Sequence, residues 1–164
     1  MRKMAVFGKI LSFFMMVTIF FSMSSVANAA PKGEPIVIGA ITNLSAPYGA
    51  SLKASMEIAV DDINASGGIL GRPVKLVIED WKRQVPLALA AYRKLVMNDK
   101  CVAVFTEGSE GVPALQEEGA KLFESYPHIQ MAQYASSDDL TLETVGKNYD
   151  KYKFFFRGFS NMYT

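Results

Sequence analysis

Between Ile58 and Asp80 the chain reads IAVDDINASGGILGRPVKLVIED, and within that span a helix has to end, turn twice and become a strand. The helical part closes on Asp61-Asp62-Ile63-Asn64, and Gly67-Gly68 follows. Glycines just past a helix end accept the left-handed backbone that a residue with a Cβ resists. Ile69-Leu70 offers an apolar plug, and Gly71-Arg72-Pro73 makes a second turn. Proline cannot continue a helix and pushes Arg72 towards an extended conformation, so a strand is expected from Val74 to Ile78. Such a helix–loop–strand joint is common to many α/β proteins.

The rest of the chain alternates in the same way. Ile36 to Ile41 is a short β-rich run, and Ala50 to Asn64 places Leu52, Met56, Ala59, Val60 and Ile63 at helical spacing. Pro86 to Asp99 reads as a helix opened by proline, and Val112 to Glu124 as another with Leu115, Gly119, Leu122 and Phe123 inward. Val102–Phe105, Ile129–Ala132 and Lys153–Phe156 are three more strands, with a short helix or turn over Leu140–Val145. Strands separated by helices argue for βαβ units and a parallel sheet flanked by helices, an α/β fold.

The first thirty residues bear on compartment. Arg2, Lys3 and Lys9 precede an almost unbroken apolar run from Ile10 to Phe21, and Ala27-Asn28-Ala29 fits a small-x-small cleavage site. The run is short for a membrane span, so residues 1–29 are expected to be a secretory signal peptide and the mature chain to begin at Ala30. Its removal takes away three of the 17 basic residues and none of the 16 acidic ones. The mature chain is then slightly acidic, which argues against a nucleic-acid partner. Cys101 is the single cysteine and His128 the single histidine. An intrachain disulfide is therefore excluded, and no His or Cys partners exist for a metal site. Val102 and Ala103 beside Cys101 favour a buried thiol, whereas His128, after Pro127, is expected in a loop. No Gly-x-Ser-x-Gly elbow or phosphate-binding glycine loop is present, so no cofactor is implied.

The nine residues Asn64-Ala65-Ser66-Gly67-Gly68-Ile69-Leu70-Gly71-Arg72 closely resemble the helix-to-strand signature of the leucine/isoleucine/valine-binding protein family, extracytoplasmic solute-binding proteins that serve ABC importers. The resemblance implies a three-layer α/β/α lobe of the type I periplasmic binding fold. It extends over residues 30–164 but over only about the first two fifths of a complete member. The expectation is an incomplete architecture: one N-terminal ligand-binding lobe, ending near the first crossover to a second lobe.

Open α/β sheets bind ligands beyond the carboxyl ends of their strands, and three loops qualify by position. Thr42 to Gly49 resembles the family's Leu-Ser-Gly-Pro-x-x-Tyr-Gly element, with Ala46 where glycine is commoner. Tyr48 would be an aromatic wall against the ligand, or else a packed tyrosine at a capped helix entry. Thr106 to Gly111 carries Ser109, which the resemblance matches to the serine that holds the ligand's α-carboxylate; the alternative is a helix cap. Glu107 and Glu110 flank it where the family usually has neutral residues, and either could repel a carboxylate or bind an amine. Gln133 to Thr141 resembles the family's small-Ala-Thr-x-x-x-Leu-Thr segment. There Ala135 would offer backbone groups, Ser136 would replace the threonine while keeping its hydroxyl, and Tyr134 would reshape the pocket. A polar turn is the competing reading. Trp81 at a strand end is expected to pack over the sheet edge, with stacking on a ligand as the alternative, and Lys82-Arg83 to be solvated surface.

These observations imply a periplasmic solute-binding component of an ABC importer for amino acids or related small carboxylates, with a membrane permease as partner. The alternative is a sensor domain of a signalling receptor. An exported enzyme is disfavoured by the lack of a nucleophile–base constellation.

Overall fold

The computed structural model describes residues 30–158. The expected signal peptide, residues 1–29, and the last six residues lie outside that range. Five parallel strands form the sheet: β1 (Ile36–Thr42), β2 (Val74–Asp80), β3 (Ala103–Glu107), β4 (Ile129–Gln133) and β5 (Phe155–Arg157), in the order β2-β1-β3-β4-β5. Helix α1 (Pro47–Ala65) joins β1 to β2, α2 (Val85–Arg93) joins β2 to β3 and continues as a π-helical turn, Lys94–Asn98, and α3 (Val112–Leu122) joins β3 to β4. A 3₁₀ turn (Asp138–Leu140), a π-helical turn (Thr141–Val145) and the one-turn α4 (Tyr149–Tyr152) lead into β5. This is the α/β sheet flanked by helices that the alternation predicts. The last strand starts two residues later than expected, because Phe154 still packs as part of the preceding turn.

The two faces of the sheet are covered unequally. On one face Ile41 and Val104 meet Tyr92 and Leu95 of the α2 segment and Leu115 of α3 in a closed core. Gly39 lets that core close, since a Cβ there would stand 2.9 Å from a Leu95 methyl. Cys101 is buried in the same cluster, and burial pushes its thiol up to about 11. On the other face α1 packs with Val60 buried but Leu52, Met56 and Ile63 only partly so. Between α1 and the sheet lies an apolar groove of about 300 Å³ over Ile38 and Phe105.

His128 is not a loop side chain at the surface. It is 4% exposed, its Nδ1–H donates to the Tyr126 carbonyl at 2.6 Å, and its Nε2 accepts from the Tyr92 hydroxyl at 2.7 Å. Phe123 and Phe154 pack around the ring, and burial holds its pKa below the ordinary value.

The joint that opened the sequence is a set of backbone closures. Gly67 and Gly68 both have positive φ, and the Gly68 N–H donates to the Ile63 carbonyl at 2.9 Å. Ile69 and Arg72 then exchange both backbone hydrogen bonds around Leu70 and Gly71, which both have positive φ, the two-residue hairpin geometry. Asn64 stands in for a neighbouring strand: its side chain donates to the Val74 carbonyl at 2.9 Å and accepts from the Val74 N–H at 2.7 Å. The apolar plug is corrected. Leu70 is 95% exposed, because both turn residues of a tight hairpin point away from the chain they reverse.

Candidate functional site at the carboxyl ends of the strands

The three predicted loops converge. The β1–α1 loop is held by Asp80, whose carboxylate accepts from the Leu44 N–H at 3.3 Å, and by Glu107. Gly49 makes its tight entry possible, because a Cβ there would lie 1.9 Å from the Asn43 carbonyl oxygen. No side chain caps α1; Pro47 opens it, and Tyr48 reaches out over the strand ends. There its ring stacks on Tyr134 with centroids 5.2 Å apart and planes 10° from parallel. Tyr134 adopts φ 49°, a left-handed backbone that aims the ring back across the β3 loop towards β1.

Ser109 is not the cap of α3, whose first residue follows Gly111 with no side-chain cap. Its Oγ instead accepts a hydrogen bond from the Ser137 N–H at 3.3 Å, tying the second loop to the third. Ala135 is fully buried, and the Ser136 hydroxyl has no protein partner among the described residues. The third loop is fixed from below by Arg157 of β5. Its guanidinium donates to the Ser136 and Ser137 carbonyls at 3.3 and 2.8 Å and pairs with Asp138 at 3.1 Å. Tyr48, Ser109, Tyr134, Ala135 and Ser136 therefore come from three loops to one end of the sheet.

Two cavities open there, sharing Tyr48 and Tyr134. One, of about 200 Å³, is lined by Arg83, Gly108, Ser109 and Glu110. The other, of about 360 Å³, has Ser51, Ser55, Glu107 and Gln133 in its walls. A larger hollow of about 530 Å³ lies between α1 and β2, lined by Lys53, Glu57, Asp61, Leu76 and Ile78, away from these loops. Among the described residues no three His, Cys, Asp or Glu side chains gather as a metal site.

Three more residues shape this end: Trp81 and Arg83, whose sequence context points first to packing and to solvent, and Glu107, legible only as a neighbour of Ser109 that could repel a carboxylate or bind an amine. Glu107 is 3% exposed and is the hub of the strand ends. It accepts from the Thr42 hydroxyl at 2.8 Å, the Asn43 N–H at 2.8 Å and the Trp81 indole N–H at 3.0 Å. Trp81 packs as expected, 1% exposed, but that hydrogen bond also makes it part of the hub. Arg83 is not merely solvated: it pairs with Glu110 and donates to the Tyr48 hydroxyl at 3.2 Å. That bond and the Glu110 carboxylate hold its guanidinium pKa above the ordinary arginine value. A signal for Glu107 was available, since strand alternation puts it on the same face as Thr42.

A family model described as periplasmic binding protein matches residues 35–124. The chain belongs to the periplasmic binding protein family. Solved members of similar shape include a putative branched-chain amino acid ABC transporter protein from Silicibacter pomeroyi, 27% identical with a TM-score of 0.66, covering 78% of this chain and 32% of that one. Another is the branched-chain amino acid transporter substrate binding protein LivJ from Streptococcus pneumoniae in complex with isoleucine, 26% identical with a TM-score of 0.64, covering 78% of this chain and 34% of that one. An amino acid binding protein from Pseudomonas aeruginosa is 38% identical over 68 residues, 42% of this chain and 18% of that protein. The chain thus spans about a third of the length of these solved family members.

Proposed function

We propose that this protein is the solute-binding component of an ABC importer for amino acids or related small carboxylates, exported to the periplasm with its signal peptide removed. Residues 30–164 form its N-terminal lobe, one wall of a two-lobe cleft that closes on the ligand by hinge motion, then docks on a membrane permease. No covalent chemistry is involved, and the protein is not an enzyme. The observation that carries this reading is the meeting of the three loops beyond the carboxyl ends of β1, β3 and β4, where Tyr48 stacks on Tyr134 and Ser109 is tied to the loop that carries Ser136. Serine hydroxyls in loops at strand ends suit a carboxylate, and the tyrosines supply an apolar wall with a polar rim. The ligand named for the pneumococcal relative, isoleucine, belongs to the same class.

Calorimetry against a panel of amino acids and small carboxylic acids tests this. Ser109→Ala should weaken binding about tenfold through one lost hydrogen bond to a charged group. A panel with no binder, or a binder indifferent to Ser109, would refute it.

A further inference from the structure

The sequence left open which glutamate beside Ser109 might meet an amine, and the structure separates the two. Glu110 is neutralised by Arg83, which is also engaged with Tyr48. Glu107 has only neutral donors, two on Oε1 and one on Oε2. A carboxylate offers about four acceptor positions, so one on Oε2 is left over. Among the described residues no cation lies within ion-pair distance of it, and Arg83 adds only a weak through-space attraction. A buried charge without a counter-charge is costly, and buried carboxylates normally have one.

The cavity beside Glu107 is built to accept hydrogen bonds. The Ser51 hydroxyl donates to the Pro47 carbonyl at 2.9 Å and the Ser55 hydroxyl to the Ser51 carbonyl at 2.8 Å. Both have spent their hydrogens on the helix, leaving lone pairs for a guest. Gln133 adds an amide whose oxygen can accept, and Tyr48 and Tyr134 add aromatic surface, which attracts cations. An ammonium group has three donors and no acceptor, the complement of this lining.

We propose that the cavity of about 360 Å³ takes a cationic amine carried at the end of the ligand remote from its carboxylate, with Glu107 as its counter-charge. The carboxylate end rests on the function proposed above. It sits in the neighbouring Ser109 cavity, with the tyrosine pair between the two ends. The ligand class is then a basic or ω-amino acid rather than an aliphatic one.

Trp81 is the only tryptophan, and its indole N–H is bonded to Glu107, so its single ¹⁵N–¹H side-chain resonance reports on the site. Purified protein is titrated with lysine, with norleucine, which lacks only the terminal amine, and with butylammonium, which keeps the side chain and its amine but has neither the carboxylate nor the α-amine. Lysine should bind about tenfold more tightly than norleucine, and butylammonium alone should move the Trp81 resonance. Glu107→Gln can keep all three internal hydrogen bonds if the Thr42 hydroxyl turns to accept, and it should close the gap between lysine and norleucine. Ser55→Ala, an exposed helical position, should narrow the gap about threefold.

Equal affinities in the unaltered protein, or a lysine preference that survives Glu107→Gln, would overturn the inference. Norleucine binding that depends on Ser109 would then leave the carboxylate reading intact. A Glu107-dependent response to butylammonium without any response to norleucine would do the reverse, supporting the amine site while the carboxylate reading fails.

Discussion

At the scale of single residues, Glu107 ties positions 42, 43 and 81 to the end of β3. Its truncation leaves three buried donors without an acceptor. Glu107→Ala should therefore lower stability by about 3 kcal/mol in urea denaturation, whereas Glu107→Gln should cost about 1 kcal/mol or less. His128 gives a pH dependence of definite sign. Burial lowers its folded-state pKa from the ordinary 6.5, partly offset by the hydrogen bond to the Tyr126 carbonyl. Above pH 6.5 the ring is mostly neutral in both states. Below it the unfolded chain takes up a proton that the folded ring resists, so stability falls as pH drops from 6.5 towards the folded value. Replacing His128 with Gln should flatten that slope when denaturation midpoints are compared between pH 5 and 7.

At the scale of elements, the tight β1–α1 connection depends on Gly49. Gly49→Ala places a methyl 1.9 Å from the Asn43 carbonyl oxygen, so the helix start must shift away from the strand. A loss of about 3 kcal/mol is expected, read as a lowered thermal midpoint. Elements were legible in the sequence wherever periodicity or turn chemistry spoke locally: the Gly67-Gly68 helix end, the helix opened by Pro86 and the five strands, whereas the first helix starts at Pro47, three residues before its apolar periodicity. The meeting of Tyr48 with Tyr134 was less legible, because it depends on a left-handed Tyr134 that no local pattern requires. Leu70 misled because an apolar residue in a tight turn has nowhere inward to point. His128 misled because the pocket that buries it joins the nearby end of α3 to α2 and the turn before β5, which are distant in sequence. Glu107 was seen as a neighbour of Ser109, yet its partners lie 26 to 65 residues away.

At the scale of the whole molecule, the family and the five-stranded parallel sheet are those of the periplasmic binding proteins it resembles. The proposed export has a direct check. Intact mass of the secreted product should correspond to a chain beginning at Ala30, and a product retaining Met1 would disprove cleavage.

The strand order also has a kinetic consequence. β1 lies between β2 and β3, and the Thr42–Glu107 contact that closes the sheet centre spans 65 residues of chain. All the ladders are parallel, so no strand can pair with its successor through a short hairpin. Loop closure over such distances has to precede the contacts that reward it, and folding is correspondingly slow. A nascent chain must extend to residue 107 before its central strands can lock. Until then only the β1–β2 pair and its helix have their partners, and a chain whose sheet centre is still open is easier to pass through a narrow translocation pore than a locked one.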